Sequence, residues 1–276
     1  MPLTTPHSPP TFATVLLRGL LAGLVAGLLA GAFGYLVGEP RIEAAIAIEE
    51  SATHTGPVAD DHHADDLVGR GGQRAGLFLA TGLFGTAMGG LLATAYVLLR
   101  RRLRSTDDGR SVLLLAGGTL VGAVLVPFGK YPANPPAVGD PDTIDQRTVA
   151  YLALVVLGLV AVWAGTLGYR SVRADAPVWQ RFGAGVGGFL LVAVVGYVVL
   201  PSFQEVPDDF PATLLWNFRL ASLGTQVVLW TAIGLLFSAL MSRGGGRPRS
   251  ERHAGERHAG DRPGEPAIGQ GTPAHP

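Results

Sequence analysis

The 276-residue chain has no cysteine. Disulfides, thiolate metal sites and cysteine nucleophiles are therefore excluded. Lysine occurs once, at Lys130, and the net charge is zero. A nucleic-acid partner needs a basic face and is not expected. Charged residues make up 15% of the chain, against about 25% in soluble domains. The 39 glycines follow no G-X-Y period, so collagen-like order is excluded. The apolar residues come in long blocks, which excludes global disorder. There is no phosphate-binding P-loop and no H-E-x-x-H. No Ser, His and Asp fall together at one depth, so no enzymatic activity is expected.

What the sequence does have is apolar length. Mean hydropathy is +0.34. A spanning helix needs about 20 mostly apolar residues, and six stretches approach that: 12–37, 75–99, 111–127, 148–168, 182–201 and 220–241. The third is the shortest. Helices satisfy their own backbone hydrogen bonds in lipid, and the blocks are too long and continuous for barrel strands. The expected fold is all-α, a polytopic bundle of about six transmembrane helices arranged as three hairpins. The first block shares some features with a signal peptide, with Ala30-Gly31-Ala32 as a small-residue site. Its length, its ordered glycines and the near absence of basic charge before it favour a retained span.

The neutral total conceals a polarised molecule. With the N-terminus inside, 15 of the 21 basic residues fall inside and 14 of the 21 acidic residues outside. The positive-inside rule then places both termini in the cytoplasm. Residues 1–11 and the Gly/Pro/Arg/His tail 242–276 cannot bury a core and are expected to be disordered. Within the transmembrane region 12–241, residues 38–74 form an extracytoplasmic loop.

Two later loops look like distant copies. Pro127 and Pro201 end spans 74 residues apart, and Arg147 and Arg219 open the following spans 72 apart. The pattern reads either as a parallel repeat or as Pro and Asp suiting any surface turn.

Three groups of residues carry the chemistry. Gly19, Gly23, Gly27 and Gly31 recur every four residues and line one helix face, which lets a second helix approach closely. Glu39-Pro40 opens a short surface helix to about Glu50. Beyond it lie His54, Asp60, Asp61, His62, His63, Asp65 and Asp66. Imidazole and carboxylate ligate borderline divalent cations such as Co, Ni and Zn, and an acidic loop concentrates cations. The same run also reads as a merely solvated loop. The remaining loops offer Glu39, Lys130, Asn134, Asp140, Asp142, Glu205, Asp208, Asp209 and Arg219 as handles for an extracytoplasmic cation pathway or gate, or for a rigid lid. Arg219 is placed to pair with one of the carboxylates. No charged residue lies mid-span, where an ion-coupling site is expected. The mid-span polar residues are hydroxyls and Gln226.

Three stretches carry a family resemblance: E-P-x-I-x-x-A-I-x-x-E-E from Glu39 to Glu50, K-Y-P-x-N-P-P-A-V-G-D-P-D-T from Lys130 to Thr143, and E-V-P-x-D-F-P-A-x-L-L-W-x-F-R-x-A-S from Glu205 to Ser222. With the glycine-ladder first span, they resemble the CbtA family of predicted cobalt transporter subunits. The resemblance implies a multi-pass protein of the bacterial inner membrane with a role in cobalt uptake. It implies Co²⁺ as cargo rather than a tightly bound cofactor, and a small one-span, His-rich CbtB-type subunit as partner alongside the lipid bilayer. The His62/His63 run carries over only loosely. The alternative is a membrane scaffold that binds a partner without transport of its own.

Overall fold

The computed structural model describes residues 10–53, 70–103, 107–135, 138–139, 141–207 and 210–243. The chain termini and the His/Asp run 54–66 lie outside them. The described residues form eight α-helices: α1 Phe12–Phe33, α2 Glu39–Thr53, α3 Arg70–Leu103, α4 Asp108–Thr119, α5 Val126–Lys130, α6 Ile144–Ser171, α7 Val178–Val199 and α8 Ala212–Arg243. No strand occurs among them. Two π-helical segments, Gly34–Gly38 and Leu120–Leu125, join α1 to α2 and α4 to α5.

These elements make six helical rods long and apolar enough to cross a membrane: Phe12–Ala47, Ala75–Arg102, Asp108–Lys130, Ile144–Ser171, Val178–Val199 and Ala212–Arg243. The third is longer than its apolar core. Asp107 caps α4 through its carboxylate, which accepts from Gly109 N (2.9 Å) and Arg110 N (3.3 Å). This satisfies orphan donors and starts the helix before the apolar run begins. The helix after Gly38 is not a separate surface element. It continues the first rod through the π segment, whose wide turn directly before Pro40 accommodates a residue with no N–H inside a continuous helix. At 1.5 Å per residue the first rod is about 54 Å long, well beyond the roughly 30 Å of a hydrocarbon core.

Neighbouring rods run antiparallel. Glycine lets α1 and α3 touch backbone to backbone. A Cβ on Gly19 would sit 2.6 Å from the Gly89 carbonyl oxygen, and one on Gly23 or Gly27 would collide with the Gly85 or Thr81 carbonyl. Gly31 faces the Thr81 hydroxyl. α8 packs against α1 and α4, and α7 packs along α6, where Gly165, Gly168, Gly185 and Gly188 make close contacts. Gly122 in the second π segment abuts Gly158 of α6.

One apolar core joins α1, α3, α4 and α8 around Val15, Ala26, Ala93, Val112, Ile233 and Phe237. Tyr96 packs edge-on against Phe237 and donates to Asp108 Oδ1 (2.6 Å), tying α3 to α4. This core fills the half of the bundle nearest Arg100, Arg110 and Arg243. The opposite end carries Pro40, Pro127 and Pro201, and its connecting segments converge.

Candidate functional site

At the proline-rich end, the segment after α5 and the segment after α7 are fastened to each other. The cause begins with Pro201. It has no N–H, so the Tyr197 carbonyl four residues earlier loses its helical donor. Lys130, in the last turn of α5, supplies one: its Nζ donates to Tyr197 O (2.9 Å) and to Ser202 Oγ (3.0 Å). A cation at a helix C-terminus also complements the helix dipole. Tyr197 returns the contact, its hydroxyl donating to Val126 O (2.6 Å). Tyr131 donates to the Pro201 carbonyl and its ring lies 5.8 Å from that of Phe203. Burial raises the Tyr131 phenol above its ordinary value, so it stays a protonated donor.

A second set crosses in both directions. Arg147, in the first turns of α6, reaches the segment after α7, where Nη1 lies 2.7 Å from Glu205 Oε2. Thr143 donates to the other carboxylate oxygen (2.5 Å). From α8, Arg219 reaches back to the segment after α5, donating to Asn134 Oδ1 (2.9 Å) and Ala133 O (3.4 Å). Gly139, with φ +131°, lets the chain close over Arg147, since a Cβ there would lie 2.5 Å from Nη1. Pro135 is buried beneath.

The structure thus brings together Lys130, Asn134, Glu205 and Arg219. Asp142 is exposed in a 3₁₀ turn, Pro141–Thr143, and Glu39 lies on the first rod just past its π segment. Sequence reasoning paired Arg219 with a carboxylate. Among the described residues its partners are an amide and a carbonyl, because Arg147 already occupies Glu205. His54, Asp60, Asp61, His62, His63, Asp65, Asp66, Asp140, Asp208 and Asp209 lie outside the described residues. Among those described, no three His, Asp or Glu side chains converge as a metal site would require.

Arg147, Thr143, Tyr131, Tyr197 and Ser202 were not foreseen. For Tyr197 a signal exists, because Pro four residues downstream frees its carbonyl. For Arg147 the only sign is its match to Arg219 in the two loops. Chemically, this end is a clasp of mutually satisfied polar groups.

No curated protein and no solved structure was found to match the chain. The family model described as "Probable cobalt transporter subunit (CbtA)" matches residues 12–242, most of the chain and all six rods. The chain therefore belongs to the CbtA family of probable cobalt transporter subunits.

Proposed function

We propose that this chain is the membrane-embedded component of a cobalt uptake system, lying in the bacterial inner membrane with both termini in the cytoplasm. The observation that carries the reading is the family match across all six membrane-length rods. The charge asymmetry supports the orientation. The role is transport rather than catalysis, and Co²⁺ is cargo.

In this reading the His/Asp run from His54 to Asp66 collects the cation. It follows directly on α2, the extension of a rod far longer than the membrane is thick, which suits an outward-reaching collector. Asp140, Asp142, Asp208 and Asp209 are proposed to pass the cation on to the bundle. Glu205 serves differently: engaged by Arg147 and Thr143, it holds the two loops together at the mouth. A one-span, His-rich partner packs beside the bundle. α7 supports this, since Gly183 and Gly187 have nothing within 4 Å and leave a smooth helix face open.

The test of the collector is the double variant His62→Ala/His63→Ala, assayed for cobalt uptake together with the partner. The half-saturating Co²⁺ concentration is expected to rise several-fold, with the maximal rate preserved. An unchanged half-saturating concentration would remove the collector role.

A further inference from the structure

The inward face of α8 changes character halfway along. Leu220, Val227, Thr231 and Leu235 are exposed and mark the face turned outward from the bundle. At 100° per residue the opposite side runs through Ser222, Gln226, Leu229, Trp230, Ile233 and Phe237. From Leu229 onward this side is buried: Leu229 is 3%, Trp230 7%, and Ile233 and Phe237 0% exposed. Above it, Ser222 and Gln226 are only half-buried, although they occupy the centre of the same face. Neither side chain makes a hydrogen bond among the described residues, whereas the adjacent Thr225 closes onto Ala221 O (2.9 Å).

Packing loosens at the same level. No residue of the π segment Gly34–Gly38 is buried, and Gly34 faces α8 at Thr225. In the π segment Leu120–Leu125 only Gly122 is buried, and it turns to α6. Both wide-turned segments neighbour α8, so the glycine-tight packing of α1 on α3 gives way where Gln226 sits. An amide left without a partner in hydrocarbon is strongly disfavoured. An inward-facing, half-buried Gln with no partner among the described residues is therefore placed to meet water or a polar ligand rather than lipid.

We infer that Ser222 and Gln226 form an intramembrane oxygen-donor subsite for the divalent cation, on the floor of a vestibule opening toward the proline-rich end. Leu229, Trp230 and Ile233 close it beneath. The inference rests on the transport reading above. An amide oxygen and a hydroxyl are neutral donors that replace part of a hydration shell without making a deep trap, which a conducting path requires. Arg219, seven residues before Gln226 on this face, has its guanidinium held on the loop by Asn134 and Ala133 O.

Because the chain has no cysteine, single cysteines report directly. Ser222→Cys, Gln226→Cys, Thr231→Cys and Ile233→Cys are expressed with the partner subunit and treated with a membrane-impermeant thiol reagent, with and without Co²⁺. The Ser222→Cys and Gln226→Cys variants are expected to react and to be protected by Co²⁺ near the concentration that half-saturates uptake. Thr231→Cys, on the outward face, and Ile233→Cys, below the floor, are expected to stay unreactive. Gln226→Leu is expected to lower uptake by at least about tenfold, a loss typical of disturbed metal sites, with Gln226→Asn retaining part of it. If the wild-type system takes up cobalt while the Gln226→Cys variant is unreactive, or reacts without protection, the subsite is overturned and the transport reading stands. If the wild-type system takes up no cobalt, both fall.

Discussion

Glu205 shows how a surface carboxylate takes its role from its neighbours. In sequence it stands with Asp208 and Asp209 as one more acid beside the membrane. In the structure both its oxygens are engaged, by Arg147 and Thr143, and its side chain is 12% exposed against 29% for Arg147. Partial burial lifts such a pair above the exposed median, so a Glu205→Gln/Arg147→Met double-mutant cycle should give a coupling of about 1 kcal/mol. Thermal unfolding in detergent measures it. Gly139→Ala attacks the same contact from the backbone. It forces a side chain onto a positive φ and against Arg147, and should destabilise by about 1–3 kcal/mol. None of this pairing was readable beforehand. The residue types at the site were legible, but which cation meets which acid depends on how two loops 60 to 70 residues apart come together.

At the scale of the element, glycine does two different things in this chain. On α1 it permits backbone contact with α3, so Gly23→Ala drives a methyl into the Gly85 carbonyl. Overpacking of this kind should cost about 1–3 kcal/mol. On α4, Gly117 has nothing within 4 Å. Gly117→Ala should be neutral or stabilising, by up to about 1 kcal/mol from helix propensity. Melting temperatures of the two variants in one detergent compare them directly, and equal effects would contradict the packing described. The spans and the glycine ladder were legible because apolar length and four-residue spacing are local properties. The continuation of α1 through Pro40 was not, because a proline after a polar residue normally reads as a new start. The π segments, each ending two residues before a proline, have no sequence period of their own.

The described helical bundle is polarised along its length. A glycine-tight apolar core fills the arginine-rich half, and loops fastened to each other lie at the proline-rich end, with looser packing between them. Its flanks expose large apolar side chains, such as Leu98 at 73% and Val198 at 78%, which suits a lipid surround. No charged side chain lies mid-span, where an ion-coupling site is expected. The proposed transport reading therefore assigns energy or gating to a partner subunit. The decisive measurement is cobalt accumulation, at sub-micromolar metal with Ni²⁺ as competitor, in cells that lack their own high-affinity uptake. The chain is expressed alone and together with a candidate one-span, His-rich partner. Accumulation only when both are present is the predicted result. No accumulation in either case, with membrane insertion verified, would contradict the transport role and leave a membrane scaffold in its place.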